Sequence, residues 1–139
     1  MPDVAGSLHA NVLLRLLLND VPDEHDAARD LARQGVFKVS DTAVAEVVFV
    51  LGRHYGLERP QVHHAMMGLL RQPWLTGSRS AAAALDQFRS SPKLSFEDCL
   101  LVEHARSERA EPLWTFDRKL VSQTDARAVP REVTERGQT

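Results

Sequence analysis

Apolar positions along the chain follow two periods, which predict an alternation of strands and helices. Short apolar runs precede longer segments in which apolar residues recur every three or four positions, the spacing of one helix face. In the first example, a strand over Val4–Leu8 leads into an apolar helix that Asn11 is expected to cap. The pattern therefore predicts a buried first strand whose carboxyl end carries His9 and Asn11.

The same reasoning divides the rest of the chain. Turn residues, N-cap residues and prolines near the first helical position set the boundaries. Strands are predicted over 36–39, 73–76, 112–116 and 127–129, and helices over 23–33, 42–54, 59–72, 78–90, 95–105 and 118–121. The aromatic and β-branched content of 112–116 is that of a buried strand, and either Ser40 or Asp41 caps the helix over 42–54. Alternating strands and helices imply a three-layer α/β/α domain with a mainly parallel central sheet.

Size and charge limit what this domain can be. The chain has 139 residues and a formal net charge of −2, so it is long enough to bury about 68% of its unfolded surface in one core. We expect a single domain over 1–130 and a polar tail over 131–139. The charge argues against a constitutive polyanion binder, so any contact with nucleic acid must be local.

The cysteine content and the apolar runs bear on location. Cys99 is the only cysteine, which excludes an intramolecular disulfide and a zinc–thiolate cluster within one chain. No signal sequence is evident, and the run Val12–Leu18 is too short to span a bilayer and contains Arg15. These features predict a cytoplasmic protein without a membrane segment.

Three acidic residues stand at positions that suggest chemistry. Glu46 lies on a predicted helix that is apolar almost all round, Asp98 follows Ser95 in a capping-box pattern, and Asp117 follows a strand that carries Thr115. Each has an ordinary structural explanation. Glu46 can face solvent or pair with Arg53, and the two aspartates can neutralise first-turn amides.

A cluster of these carboxylates would need a cation. Two carboxylates about 4 Å apart repel by roughly 4 kcal/mol at an effective dielectric of 20. Such a group persists only by binding a divalent ion or keeping a proton. Oxygen-only sites suit hard ions, which makes Mg²⁺ or Mn²⁺ the expected cofactor.

A resemblance to a known family rests on four stretches in this order: SLHANVLLRLL, AEVVFVL, LSFEDCLLVEHA and EPLWTFDRKL. Together they resemble the PIN-domain family, in particular the toxin ribonucleases of bacterial toxin–antitoxin pairs, over about Leu8 to Leu120. The resemblance implies a metal-dependent endoribonuclease that uses Mg²⁺ or Mn²⁺. The family's acidic metal positions match His9, Glu46, Asp98 and Asp117, and its polar companions match Asn11, Ser95 and Thr115.

His9 is the departure from that pattern, because the family has an aspartate there. Imidazole is a poor ligand for Mg²⁺ but can bind Mn²⁺, Co²⁺, Ni²⁺ or Zn²⁺. The first alternative is therefore a catalytically impaired PIN-like module that binds an antitoxin or RNA without cleaving it. The second is a metal-dependent nuclease acting on DNA or another phosphate ester, because a cluster of carboxylates does not distinguish ribose from deoxyribose.

The resemblance also implies partners and a mechanism. A metal-activated water would attack phosphorus in line, with Glu46 binding the ion or accepting the water's proton. Arg15, Arg118 and Lys119 could steer the phosphate backbone, although each is equally an ordinary helix cation. The implied partners are an RNA substrate, a small antitoxin chain and a second copy in a homodimer.

Overall fold

The computed structural model describes residues 3–77 and 79–132. Within these ranges the chain forms a mixed α/β domain of the three-layer kind. Strands and helices alternate as predicted, and most boundaries fall within two residues of the expected ones. In chain order the elements are β1 Val4–Ser7, α1 Ala10–Leu17, α2 Pro22–Ala32, β2 Val36–Lys38, α3 Asp41–Arg53, α4 Arg59–Leu70, β3 Leu75–Thr76, α5 Arg79–Ser90, α6 Phe96–Ser107, β4 Trp114–Thr115, α7 Arg118–Gln123 and β5 Arg127–Ala128.

All strand pairs of the described residues are parallel. β1, β2 and β3 form one sheet in that order, with Lys38 paired to Ser7 on one side and to Thr76 on the other. β4 and β5 form a second, two-stranded sheet. The parallel pairing confirms the predicted α/β class, and the strands divide into two sheets instead of one continuous central sheet.

β1 is exposed along its whole length, so the prediction of a buried first strand is wrong. Val4 keeps 50% of its surface accessible. The strand lies at the edge of its sheet and pairs only with β2, and its other residues are small. Burial begins at Leu8, which is 6% exposed.

The stretch 112–116 was also expected to be a buried strand, and this too is wrong. Trp114 is 54% exposed and Phe116 is 65% exposed. Leu113 is the residue of this stretch that packs against the core. The aromatic content that predicted a buried strand is therefore presented to solvent.

The core lies around α3, which packs against α1, α4, α5 and α6. Val44, Val47 and Leu51 of α3 are at most 1% exposed, as their helical spacing predicted. Phe88 and Phe96 join α5 to α6 through an edge-to-face contact with ring centroids 5.9 Å apart, a favourable geometry for aromatic pairs.

Arg59 closes one end of this core. Its guanidinium carbon lies 4.0 Å from the centroid of the Phe88 ring. The same group donates hydrogen bonds to the carbonyl oxygens of Phe88 and Ser91 at 2.8 and 3.2 Å. Burial lowers the pKa of Arg59 from its ordinary value.

Some predictions lie outside these residues. The helix predicted from position 78 begins at Arg79 in the described part, and Ser78 itself is outside it. Residues 133–139 of the predicted polar tail are also outside it, and the domain boundary at 130 stays a prediction. None of the described helices has both the length and the apolar run that a membrane crossing requires.

Candidate active site

Three of the predicted site residues stand at helix starts. His9 follows β1 and precedes α1, Ser95 precedes α6, and Asp117 lies between β4 and α7. Each is the N-cap of its helix and accepts a hydrogen bond from a backbone amide through its side chain. The first turn of a helix has free amide donors, so polar side chains there are held in defined orientations.

His9, and not Asn11, caps α1. The Nδ1 atom of His9 accepts a hydrogen bond from the amide of Asn11 at 3.1 Å. Helix α1 begins at Ala10, so Asn11 is already its second residue and the predicted cap is wrong. Imidazole can replace the usual carboxylate or amide because Nδ1 is bonded to Cγ, like the Oδ atoms of aspartate and asparagine.

This cap determines what His9 offers to a metal ion. In a neutral imidazole one ring nitrogen carries the proton and the other carries the lone pair. Because the Asn11 amide donates to Nδ1, the lone pair lies on Nδ1 and the proton on Nε2. His9 can therefore bind a metal through Nδ1 only if it gives up the hydrogen bond from the Asn11 amide. It can bind one through Nε2 only if the proton leaves that nitrogen. An aspartate could cap with one oxygen and bind a metal with the other.

Asp117 keeps such a free oxygen. Its Oδ1 accepts from the amides of Lys119 at 2.8 Å and Leu120 at 3.4 Å. The amide of Asp117 donates to Oγ1 of Thr115 at 2.9 Å. Within the described residues Oδ2 of Asp117 accepts no hydrogen bond, so it is available to a ligand. Thr115 thus fixes the backbone at the acidic residue, and its role in a site stays a prediction.

Asp98 is partly buried at the start of α6. Its amide donates to Oγ of Ser95 at 3.1 Å, which confirms Ser95 as the N-cap. Next to it, Cys99 is fully buried, and burial raises the pKa of its thiol to about 11, an effect that Arg59 partly offsets. Cys99 is therefore a neutral core residue, and the acidic groups of this turn are Glu97 and Asp98.

Glu46 lies on the exposed side of α3. Its neighbours Val47 and Val48 are buried, whereas Glu46 itself is accessible. Arg53, the suggested ion-pair partner, does not lie within 4.0 Å of it in the described part of the chain. Among the residues that the structure describes, Glu46 is therefore a carboxylate without an ion-pair partner, on the helix that follows β2.

Sequence reasoning gave no functional role to Asp41, the first residue of α3. Its Oδ1 is buried and has no hydrogen-bond partner within the described residues. Either Ser40 or Asp41 was a possible cap, and Ser40 is the one that accepts from the amide of Ala43 at 3.1 Å. Because Ser40 is the cap, Asp41 keeps a carboxylate oxygen without a hydrogen-bond partner among the described residues, just after β2. The sequence did not show which of the two residues would be the cap, so it did not show this oxygen.

The described residues do not hold these acids as a preformed metal site. The pairs His9–Asn11, Ser95–Asp98 and Thr115–Asp117 are each local. No three His, Cys, Asp or Glu side chains within 3–77 and 79–132 lie close enough together to hold a metal ion. The remaining carboxylates still fit a hard divalent ion by their chemistry.

The predicted phosphate-steering residues differ in whether their side chains already have hydrogen-bond or ion-pair partners. Arg15 donates to Asp20 at 2.9 Å and to the hydroxyl of Tyr55 at 3.4 Å, and Tyr55 donates to Asp20 at 2.7 Å. The Tyr55 hydrogen bond raises the pKa of Arg15 and lowers the pKa of Asp20. Arg118 and Lys119 are exposed and form no ion pair within the described residues.

Asn11 lines a cavity between α1 and α2. The cavity has a volume of about 300 Å³, and its walls include Val12, Ala28 and Leu31 on the apolar side and Arg15 at the rim. Asn11 is therefore placed at the start of α1 beside His9, with its side chain available to a ligand.

Comparison with known proteins identifies the family. The model of the PIN domain matches residues 8–126, which include every predicted site residue. No curated protein matches the chain. PIN domains are nuclease-type domains that generally use divalent metal ions. With its parallel strands and the match over most of its length, this chain belongs to the PIN domain family.

Proposed function

We propose that this chain is a metal-dependent endoribonuclease, the toxin component of a toxin–antitoxin pair. The observation that carries the proposal is the geometry of Asp117. Two α7 amides donate to Oδ1 of its carboxylate, Thr115 accepts a hydrogen bond from its backbone amide, and Oδ2 accepts no hydrogen bond from the described residues. That is the arrangement expected of an acidic ligand on a rigid support.

Glu46, Asp98 and Asp117 would hold Mg²⁺ or Mn²⁺. The ion, when bound, supplies a Lewis acid for the phosphodiester and lowers the pKa of a water molecule. Ser95 and Thr115 fix the backbone around Asp98 and Asp117. Glu46, exposed and unpaired, is suited to accept a proton from the attacking water.

The substrate's backbone would be bound by Arg118 and Lys119. Both are exposed, follow Asp117 directly, and have no carboxylate partner in the described residues. Arg15 would have to release Asp20 and Tyr55 before it could take this role. Phosphate binding by a few local cations agrees with a chain whose net charge is −2.

A second candidate function follows from His9. As the cap of α1 it has no free lone pair for a metal, so the site has one ligand fewer than the family pattern. A chain with that deficit could keep the fold and bind an antitoxin or RNA without cleaving it. His9 thus favours a catalytically impaired module as the alternative.

The proposed partners are a small antitoxin chain and a second copy of this chain, in the cytoplasm. A groove of about 570 Å³ between α1, α2 and α4 has a floor that includes Leu16, Leu17 and Trp74, and could receive an antitoxin segment. Phe49 of α3 and Leu101 of α6 are 57% and 52% exposed on neighbouring helices. They offer an apolar patch for a homodimer.

The experiment that tests the proposal is divalent-ion binding by calorimetry, with RNA cleavage under the same conditions. Mg²⁺ and Mn²⁺ are compared on this chain and on His9→Asp. We expect the chain to bind Mn²⁺ and cleave RNA, and His9→Asp to bind Mg²⁺ more tightly. If neither ion binds this chain and His9→Asp gains both properties, the impaired module is correct. Absence of binding by both proteins would contradict the metal site.

Parallel assays on single-stranded DNA and a phosphomonoester test the substrate class. A ribonuclease that requires the 2′-hydroxyl leaves both intact. Equal cleavage of DNA would instead support a general metal-dependent nuclease.

The Asp117→Asn variant tests the acidic ligand directly. Asparagine is as good an N-cap as aspartate, so the free energy of unfolding should stay within about 0.5 kcal/mol. Cleavage should fall by at least the roughly 10- to 100-fold that loss of a metal-supporting group costs. Asp23→Asn, in the exposed first turn of α2, is the matched control and should cleave normally. Unchanged cleavage by Asp117→Asn would remove Asp117 from the site.

A further inference from the structure

A cavity with two arginines in its walls lies between α4 and α5. Its volume is about 420 Å³, and its walls include Met67 and Gly68 of α4, Arg71 just after α4, and Arg89 of α5. Pockets of about 300–1,000 Å³ have the size that takes small-molecule ligands. Among the described residues that line this α4–α5 cavity, none is a predicted site residue, so the cavity is a separate feature of the molecule.

The two helices run antiparallel along the α4–α5 cavity. The guanidinium of Arg59, at the start of α4, donates to the carbonyl oxygen of Phe88 near the end of α5 at 2.8 Å. One turn further along α4, Nε2 of His63 lies 2.7 Å from Oδ1 of Asp86, which is earlier in α5. The partners on α5 thus come from earlier positions as α4 advances.

The two arginines therefore stand at opposite ends of the cavity. Arg89 is next to Phe88, so it lies level with the first turn of α4, whereas Arg71 follows the last residue of α4. At a rise of about 1.5 Å per residue, these two levels are roughly 16 Å apart along the helix axis. The cavity is thus elongated between two cationic ends.

Both positive charges are available to a ligand. Arg71 and Arg89 are exposed and form no ion pair within 3–77 and 79–132. Asp86 lies one turn before Arg89 on α5, but its carboxylate is not within 4.0 Å of that guanidinium. A carboxylate accepts hydrogen bonds, and the donor to Asp86 is His63. The carboxylate that could neutralise Arg89 is therefore bound elsewhere.

Gly68 opens the middle of the cavity. It lies inside α4, where glycine is less favourable than every residue except proline. A Cβ atom added at Gly68 would meet no other atom within 4 Å, so packing among the described residues does not require glycine there. Gly68 also borders the groove between α1, α2 and α4. Its missing side chain leaves room for a ligand against α4.

Two guanidinium groups at the ends of an elongated cavity match an anion that is charged at both ends. Guanidinium binds carboxylate and phosphate through paired hydrogen bonds. A phosphate monoester carries a charge of about −1.5 to −2 at neutral pH, and a carboxylate carries one unit. An exposed arginine gains little from a single unit charge, so phosphate is the better match. Met67, in the wall between the arginines, favours an uncharged carbon framework in the middle.

We propose that the α4–α5 cavity binds an organic bisphosphate. One phosphate group contacts Arg71, the other contacts Arg89, and the carbon framework between them lies against Met67 and Gly68. The inference goes beyond the proposed function and does not rest on it, because it involves neither a metal ion nor the acidic residues.

The test is calorimetric titration of the full chain in metal-free buffer at low ionic strength. The probes are fructose 1,6-bisphosphate and adenosine 3′,5′-bisphosphate, with fructose 6-phosphate as the matched monophosphate. We expect at least one bisphosphate to bind about tenfold more tightly than the monophosphate, because it makes a second charged contact. The tighter of the two bisphosphates then identifies the framework as a sugar or a nucleoside.

Variants at the two ends test the arginines. Arg71→Gln and Arg89→Gln should each lower the affinity for the bisphosphate about tenfold, to the level of the monophosphate. Arg53→Gln is the matched control, because Arg53 is also exposed and has no ion pair in the part of the chain that the structure describes. It should bind the bisphosphate as the unaltered chain does.

Two further variants separate a loss of binding from a loss of folding. Gly68→Ala should raise the resistance to urea, since alanine favours the helix, and yet bind the bisphosphate less tightly because its methyl group takes up space in the cavity. Asp86→Asn should bind it about threefold more tightly, since a carboxylate near Arg89 no longer repels the ligand.

Several results would overturn the proposal. These are no binding of either bisphosphate, equal affinity for bisphosphate and monophosphate, or binding by both arginine variants within twofold of the unaltered chain. If oligoadenylate RNA displaces the bisphosphate and Arg71→Gln and Arg89→Gln weaken the binding of RNA equally, the arginines belong to a nucleic-acid surface and the small-molecule site is wrong.

Discussion

The helical body formed by α3, α4, α5 and α6 differs sharply from the C-terminal segment formed by β4, α7 and β5. In the body, residues such as Leu51, Met66 and Leu85 have no exposed surface, and its cysteine is sealed from solvent. The C-terminal segment exposes two large aromatic rings, and its cations Arg118 and Lys119 have no carboxylate partner within 3–77 and 79–132. The fully buried core thus lies in the body, whereas Asp117 and the proposed phosphate contacts Arg118 and Lys119 lie in the C-terminal segment. Substitutions in the two regions should therefore affect different properties.

The largest expected effect on stability comes from truncating the body. Leu85→Ala opens a cavity in a fully buried site and should lower the free energy of unfolding by about 2–5 kcal/mol. Trp114→Ala removes a larger side chain from the C-terminal segment and should lower it by less than about 1 kcal/mol. Urea denaturation of both variants measures the difference. Equal losses would mean that the exposed tryptophan packs into the core and would remove the contrast.

A pH effect comes next in size and belongs to the body. Burial raises the pKa of the Cys99 thiol from 9.0 to about 11. Between these values the unfolded chain has lost the thiol proton while the folded chain keeps it, so rising pH favours unfolding. The free energy of unfolding should therefore fall by about 2 kcal/mol more from pH 9 to 11 in this chain than in Cys99→Ala.

The Cys99→Ala variant is the control for lysine and tyrosine residues that titrate in the same range. Denaturation curves at several pH values give both slopes. If the free energy of unfolding falls equally with pH in the two proteins, the thiol of Cys99 is not buried in the body.

The smallest effect concerns the connection between the two regions. Arg106 of α6 contacts Asp125 at 3.0 Å and Glu111 at 3.7 Å, and Glu103 is the main cause of its raised pKa. Since Arg106 is 47% exposed, Arg106→Gln should cost less than about 1 kcal/mol of global stability. The amides of Arg127 and Val129, which donate to the carbonyl oxygens of Leu113 and Thr115, should exchange faster with deuterium.

Arg33→Gln is the matched control for that measurement. It removes an ion pair with Asp30 within α2, at 3.0 Å, far along the chain from β5. Faster exchange throughout the body of Arg106→Gln, or none in β5, would contradict a local role.

Most of the fold was predictable because helix signals are local. Prolines, serines and glycines set the starts and ends of α2, α3 and α6, and apolar spacing identified the buried side of α3. The prediction that β1 and β4 are buried was wrong for a physical reason. An apolar or aromatic run shows that a strand is favoured, but the number of its neighbours in the sheet is a tertiary property.

The candidate site was predictable as a set of residues and not as an arrangement. Motif spacing identified Ser95 with Asp98 and Thr115 with Asp117. In both pairs the backbone amide of the aspartate donates a hydrogen bond to the hydroxyl oxygen of the other residue. Sequence could not show that His9 would take the cap from Asn11, because both side chains can accept the same kind of hydrogen bond. Nor could it show the unpartnered oxygen of Asp41, which depends on what packs around α3.

The cap at His9 also has an evolutionary consequence. Histidine and aspartate codons differ by a single base, and either residue gives the start of α1 an acceptor on Cγ. Selection for a well-folded chain therefore does not distinguish the two, while selection for metal-dependent cleavage does. A lineage could silence or restore such an enzyme at this position by point mutation, without passing through an unstable intermediate.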